Sequence, residues 1–408
     1  MKKNNPIIQG LGICDPHIHI FDNKAYLYAS HDRSINNTTW LMDDWQIWSS
    51  KDLVIWEYET TFRPEETYIG KCDKCWAVDT AQRNGKYYYY FSNGNKDIGV
   101  AVADKPGGPF YDILGKPLLE ENYTSTLQYD PTVFVDPDTD IPYLIWGCCE
   151  GDGYFISRLN QDMISLAEKP RQIMIDETYA RDDKSFIHKK NRIYYLSWGS
   201  FYATSENIYG PYAYQGSLGI SEDHGSFFSW NGQDFYAYTI FDPNNYYRAT
   251  GICYIHYRAN GEMVADQIID EYGVGHYDSE WNKIQAEWYM QAKAVKKKEN
   301  IWGGFDIGNI NAGSELYYPN ICGMKNKTKI HFLTASIQED SWIEIWDNLE
   351  ERRIGLCKVG YTGRYDHCGY RVCSCKLDRE VFADKLNMKL LFKGKGDEIM
   401  RIHWFKFT

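Results

Sequence analysis

One motif recurs five times along the first two-thirds of this 408-residue chain: a short polar turn that leads into an aromatic-rich strand. The copies are NKAYLYAS around Tyr26, NGKYYYYFS around Tyr87, DIPYLIWG around Tyr143, NRIYYLSWG around Tyr194 and NGQDFYAYT around Phe235. Ahead of the turns lie the strand-like runs HIHIF, VDTAQ, TVFVD, FIHKK and FFSW. Two such runs joined by an Asn-Gly or Asp-rich turn predict a hairpin. After the hairpins come WSSKDLVIWE, VAVADKPGGPF, ISRLNQDMISL, YATSENIYGPY and IHYRANGEMVA, each read as strand, turn and strand. Four strands repeated roughly every 40–60 residues are the pattern of a propeller blade. Five copies predict a five-bladed β-propeller; a long β-sandwich would need no such register.

The register also picks out candidate site residues. Eleven positions before the hairpin aromatic stand Asp15, Trp76, Asp183 and His224, in blades one, two, four and five. The third turn, DPDTD, is longer, and thirteen positions back stands Asp130. These places open the innermost strand of each blade, so the repeat predicts that they meet at the mouth of a central channel. Carboxylates held close raise each other's pKa, which is unfavourable unless it serves chemistry. Glycoside hydrolysis requires it: one carboxyl stays protonated for the leaving oxygen while another stays ionised to activate water or attack the sugar. The ring of Trp76 suits a sugar face. Asp15 and Asp130 each precede Pro, and Asp-Pro by itself also marks a turn.

Composition narrows the classes. With 34 Tyr, 18 Phe and 14 Trp the chain favours strands, where flat rings pack well. A net charge of −12 and no extended basic run exclude a polyanion such as nucleic acid as the expected partner. No apolar run is long enough to span a bilayer. Eleven Cys and no apolar stretch after the first lysines predict free thiols and a cytoplasmic protein. Cys72 and Cys75 have CxxC spacing, but no second pair completes a zinc site.

The elements CDPHIHIF, SSKDLVIW, IGVAVADKPGGPF, YDPTVFVD, LNQDMISL, FIHKKNRIYYLSWG and YATSENIYGPYAYQG resemble those of glycoside hydrolase family 43, across the whole repeat region. Within it they are similar to α-L-arabinofuranosidases and β-xylosidases that act on xylan decorations. The resemblance implies an inverting enzyme with three acidic residues. Asp15 matches the general base, Asp130 the carboxylate that tunes and positions the acid, and Asp183 the general acid. The family acid is usually Glu; this chain reads ARDDKSFIHKK there, with Asp182, Glu177 and Glu222 as fallback acids. By the same resemblance His31 and Asp32 contact the sugar, and Arg248 reaches the carboxylates and the glycone. His224 matches a His associated with a channel calcium or sodium ion, held mostly through water. Trp146 and Trp198 are expected in the core.

The repeat ends near residue 267, and 268–284 reads as a linker. From 285 to 408 come short alternating strands, among them IHFLTASI, SWIEIWD, RIGLCKVG and MKLLFKG, which predict a β-sandwich of jelly-roll type. AEWYM, GGFDIGNINAGSELYY and the closing LLFKGKGDEIMRIHWFKF resemble carbohydrate-binding module family 6. That resemblance implies a structural calcium with Glu287 as a ligand, although His403 stands where Asp or Asn is usual. The expectation is an all-β, exo-acting hydrolase releasing arabinose from arabinoxylan-derived oligosaccharides. The alternatives are a β-xylosidase on xylo-oligosaccharides and a sugar-binding propeller without catalysis.

Overall fold

The computed structural model describes residues 4–148, 152–176, 182–221, 223–266, 272–378 and 383–408. They are almost wholly strand and turn, and no helix among them is long and apolar enough to cross a membrane. The chain divides into two compact units, one of Lys3–Phe228 with Phe235–Gly273, the other of Ser229–Asp234 with Val274–Thr408.

The repeat region forms five four-stranded antiparallel sheets among the described residues. The first holds β1 (Ile13–Phe21), β2 (Lys24–Asp32), β3 (Met42–Ser50) and β4 (Trp56–Phe62). The second holds β5 (Cys75–Arg83), β6 (Lys86–Asn93), β7 (Asp97–Ala103) and β8 (Tyr111–Asp112). The third holds β9 (Thr132–Val135), β10 (Pro142–Cys148), β11 (Gly153–Arg158) and β12 (Arg171–Gln172). In the fourth are β13 (Ser185–Lys190), β14 (Ile193–Trp198), β15 (Phe201–Ser205) and β16 (Ala213–Ser217). In the fifth are β17 (Gly225–Trp230), β18 (Gln233–Asn244), β19 (Tyr247–Tyr257) and β20 (Met263–Ala265). Every sheet runs in chain order, first strand to fourth.

Two details differ from the sequence reading. The fourth strand of the third sheet is Arg171–Gln172, beyond the MISL segment that its pattern favours; Leu159 and Leu166 share only an isolated bridge. Within the segment read as a linker, β21 (Tyr277–Asp278) pairs in parallel with a strand some forty residues further on. Such a long-range partner leaves no local periodicity to read.

Aromatic content explains how the sheets pack. Tyr28, Trp45, Phe62, Tyr89, Phe91 and Phe110 form one buried cluster between the first and second sheets. Tyr154, Trp198 and Tyr212 do the same for the third and fourth. Flat rings fill the wedge between twisted sheets without strained rotamers. Trp198 is fully buried in the latter cluster, and Trp146 is fully buried against the second sheet.

First strands also meet first strands, β1 against β5, β5 against β9 and β9 against β13. Polar side chains stitch them together in a repeated pattern. The Asp15 amide donates to Thr239 Oγ1 (3.0 Å) and the Ile18 amide to Ser226 Oγ (3.1 Å), both on the fifth sheet. The Asp130 amide likewise donates to Ser92 Oγ (3.0 Å) and the Val133 amide to Asp79 Oδ2 (2.9 Å), both on the second. Each Asp-Pro thus enters its strand through the same pair of bonds to a neighbouring sheet. Both aspartates have φ near +51°, where a residue with a Cβ is strained, the more so ahead of Pro. The pair of bonds holds that conformation in place.

The second unit contains two six-stranded sheets. Besides β21 its strands are β22 (Ile284–Gln285), β23 (Gln291–Lys293), β24 (Lys296–Glu299), β25 (Phe305–Ile310), β26 (Glu315–Cys322) and β27 (Lys329–Ala335). Then follow β28 (Ser341–Asp347), β29 (Arg352–Val359), β30 (Arg371–Lys376), β31 (Leu386–Lys393) and β32 (Met400–Phe407). One sheet is ordered β21-β26-β31-β28-β29 and the other β24-β25-β32-β27-β30, with β23 and β22 attached at the sides. Inward residues alternate along the strands, and Tyr318 of one sheet meets Phe405 of the other edge to face at 4.8 Å. Glu287 is buried in this unit, and His403 Nδ1 lies 2.8 Å from Asp306 Oδ1, so the residue at the position where Asp or Asn is usual contacts a carboxylate.

Asp79 makes the sharpest stability prediction. It is fully buried, with Oδ1 at 3.1 Å from His17 Nδ1 and 2.5 Å from His19 Nε2. Burial pushes its carboxyl up, but His17 and His19 outweigh this and hold it below the usual range. The stability it contributes is therefore complete above the ordinary carboxylate pKa and fades as pH falls through the lowered value. Asp79→Ala is expected to lower the urea-unfolding free energy at neutral pH by about 3 kcal/mol. A loss of less than about 1 kcal/mol would contradict this account.

Candidate active site

A cavity of about 360 Å³ opens where the first strands of the five sheets begin. Its walls include Asp15, Trp76, Asp130, Asp183 and His224, one residue from each sheet at the predicted register. Asp15 and Trp76 lie within β1 and β5, while Asp130, Asp183 and His224 stand one or two residues ahead of β9, β13 and β17. The cavity is at the small end for ligand pockets, a fit for one or two sugar rings.

Arg248, near the start of β19, organises the carboxylates. Its Nη1 lies 2.7 Å from Asp15 Oδ1 and 3.0 Å from Asp223 Oδ2. Its Nη2 reaches Asp15 Oδ2 (3.3 Å) and Asp32 Oδ1 (3.1 Å), and Nε reaches Asp32 Oδ2 (3.1 Å). The Arg248 amide adds a bond to Asp32 Oδ2 at 2.7 Å. Trp40 covers the guanidinium, with its ring centre 4.7 Å away. Charge then passes on through Lys184, whose Nζ is 3.7 Å from Asp223 Oδ1, 3.3 Å from Asp183 Oδ1 and 2.9 Å from Asp182 Oδ2. The result is an alternating chain: Asp15, Arg248, Asp223, Lys184, Asp183.

Asp130 sits apart from both cations. Its Oδ2 accepts the Lys184 amide (3.1 Å) and lies 3.5 Å from His224 Nε2. Burial first, then Asp183 and Asp15, push its carboxyl well above the usual range, against the pull of Lys184. Burial also pushes Asp223 up, yet Arg248, His224 and Lys184 outweigh it and hold that carboxyl low. Asp32 stays raised because burial outweighs Arg248. The site therefore combines buried carboxylates whose environments push them in opposite directions, Asp130 and Asp32 up and Asp223 down.

Two expected sugar contacts stand elsewhere. Asp32 is fully buried and supports Arg248 from behind. His31 Nδ1 faces Asp44 Oδ1 at 2.8 Å, and neither residue lines the cavity. Glu177 and Glu222 lie outside the described residues, whereas Asp182 lines the wall. Sequence reading missed Tyr129, Lys184 and Asp223, each the immediate neighbour of a register position. It also missed Trp40, which comes from an irregular loop and carries no pattern.

At the cavity, among the described residues, two groups of side chains come close enough to hold a metal ion, Asp15 with Asp223 and His224, and Asp130 with Asp183 and His224; a third, Asp366 with His367 and Cys368, is exposed on the other unit. In the first, Arg248 and Lys184 already supply the positive charge. Each group offers an imidazole nitrogen and two carboxylates, whereas calcium takes six to eight oxygens. The side chains themselves thus do not fit a directly bound calcium.

The sequence profile of glycosyl hydrolases family 43 matches residues 3–263. The chain belongs to glycosyl hydrolases family 43. As a family 43 member it is 27% identical over 329 residues to a xylosidase/arabinosidase from Bacteroides ovatus, covering 65% of this chain and 98% of that relative. It also resembles the crystal structure of a family 43 arabinoxylan arabinofuranohydrolase from Bacillus subtilis, in complex with cellotetraose. There the TM-score is 0.58 at 21% identity, over 100% of this chain and 97% of that chain, a likeness of fold. A family 43 enzyme from Xanthomonas citri complexed with xylose gives a TM-score of 0.57 at 26% identity, over 64% of this chain and 92% of that chain.

The raised Asp130 carboxyl yields a pH prediction for this glycoside hydrolase. A folded-state pKa above the unfolded value means stability that is present at low pH and lost as pH rises through the folded value. Asp130→Asn keeps an acceptor for the Lys184 amide and removes the titration. As pH rises above the ordinary carboxylate pKa, scanning calorimetry should show the wild-type Tm falling relative to that of Asp130→Asn. Parallel curves would contradict the assignment.

Proposed function

We propose that this family 43 member is an inverting, exo-acting glycoside hydrolase that removes arabinofuranosyl groups from arabinoxylan-derived oligosaccharides. The five sheets are read as blades of a closed propeller, and the two six-stranded sheets as a sandwich beside it in sequence. The observation that carries the proposal is the meeting of Asp15, Asp130 and Asp183 in one sugar-sized cavity.

The steps follow from the surroundings of each group. A resting base must be ionised, and Asp15 has the guanidinium fork of Arg248 as its counter-ion. It takes a proton from a water that attacks the anomeric carbon from one face. Asp183, on the opposite branch of the charge chain, gives a proton to the departing oxygen. Asp130, buried and pushed toward its neutral form beside Asp183, steadies that donor and sets the pH range in which it works. Trp76 and Trp40 wall the cavity with rings against which a sugar can lie. An ion held through water near His224 would add positive charge beside the carboxylates, and none of these steps passes through it.

The xylosidase/arabinosidase relative supports a second reading, β-xylosidase activity on xylo-oligosaccharides, through the same three residues. Nitrophenyl α-L-arabinofuranoside and β-D-xylopyranoside assayed in parallel separate the two. Arabinofuranoside should give the higher kcat/KM, and Asp15→Ala should lower it by about 10²–10⁴-fold. Turnover of neither glycoside, with xylo-oligosaccharide binding intact, would replace the hydrolase by a sugar-binding protein.

A further inference from the structure

Lys184 stands where its backbone is least at ease. Its φ is +63°, a left-handed conformation that strains any residue with a Cβ. Its side chain is only 10% exposed, and burying an ammonium is unfavourable unless carboxylates surround it. Here they do: Asp182, Asp183 and Asp223 lie 2.9, 3.3 and 3.7 Å from Nζ. Strain and a buried charge thus meet in one residue, at the wall of the cavity.

What Lys184 does is visible in its neighbours. Asp183 precedes β13 and lies outside the strand ladder, with its side chain 31% exposed, so packing does not fix its rotamer. Its carboxyl group is held from two sides, by the Lys184 ammonium, which faces Oδ1 at 3.3 Å, and by the Tyr129 hydroxyl, which donates to Oδ2 at 3.3 Å. The Lys184 amide meanwhile donates to Asp130 Oδ2. One residue therefore holds both carboxylates, one by its side chain and one by its main chain.

We infer that Lys184 is a positioning residue for the reaction, clamping Asp183 at a fixed distance and angle from Asp130 while the leaving oxygen is protonated. This rests on the reading of Asp183 as the proton donor. An aspartate has a short reach, and a proton donor must lie within hydrogen-bond distance of its acceptor, so a free rotamer at this position would disengage it. The ammonium removes that freedom. Tyr129 alone leaves Asp183 held at one oxygen.

Three variants test this. Lys184→Gly accepts the left-handed backbone, keeps the amide to Asp130 and removes the ammonium. Lys184→Gln keeps a polar side chain, one bond shorter, without the charge, and Lys184→Arg keeps the charge. Crystal structures of all three with the wild type read the Asp183 carboxylate directly, whatever the activity. A single position is expected in the wild type and Lys184→Arg, and a displaced or divided one in Lys184→Gly and Lys184→Gln. In kinetics, the rate on an unactivated oligosaccharide relative to a dinitrophenyl glycoside should fall at least about tenfold in the two uncharged variants. Lys184→Arg should restore most of that ratio. An Asp183 that keeps one position without the ammonium overturns the inference, as does a loss shared equally by both substrates. A wild type that releases no sugar would instead end the hydrolase reading, and the crystal structures would still decide the role of Lys184.

Discussion

Everything at the candidate site depends on how Arg248 makes it tolerable to bury carboxylates together. Asp15, Asp32 and Asp223 are all almost fully enclosed, and each would be costly without a counter-charge. A guanidinium is the one side chain able to serve the three at once, because its planar fork offers donors in several fixed directions. Nη1 bridges Asp15 and Asp223, Nη2 bridges Asp15 and Asp32, and Nε completes the hold on Asp32. A lysine would supply equal charge but could not aim Asp15 with two parallel bonds. Through Asp223 and Lys184 the same network reaches Asp183. Asp130 forms no ion pair with either cation and has the imidazole of His224 near by; burial, then Asp183 and Asp15, push its carboxyl up against the weaker pull of Lys184.

The sheets deliver these groups by repetition. Asp15 and Asp130 enter their strands with the same φ, the same following proline and equivalent bonds to a neighbouring sheet. A hydroxyl on a second strand takes the aspartate amide, and a side chain on a first strand takes the amide three residues later. The strained conformation is thus built twice from one local design. It turns each carboxylate off the line of its strand and into the cavity.

This explains which parts could be read from the residues alone. The five hairpins were legible because Asn-Gly and Asp-rich turns and aromatic runs are local signals, and the positions eleven or thirteen residues ahead follow from a constant strand length. All five of those positions line the cavity. What the pattern could not carry was partnership. Lys184 and Asp223 look like charged loop residues until the ion chain is seen, and Trp40 comes from an irregular segment. His31 and Asp32 end a strand that aims them at Asp44 and Arg248 instead of the cavity, a choice made by cross-strand register. The β21 pairing was likewise invisible, since its partner is remote in sequence.

The central claim is that Asp15 and Asp183 act from opposite faces of one sugar, with a water on the side of Asp15. Proton NMR of the reaction mixture in its first minutes reads this directly, before mutarotation scrambles the released sugar. The account predicts that the first sugar to appear carries the anomeric configuration opposite to that of the substrate. Release with the configuration retained would mean that a carboxylate attacks the sugar itself, and the roles given to these residues would be wrong.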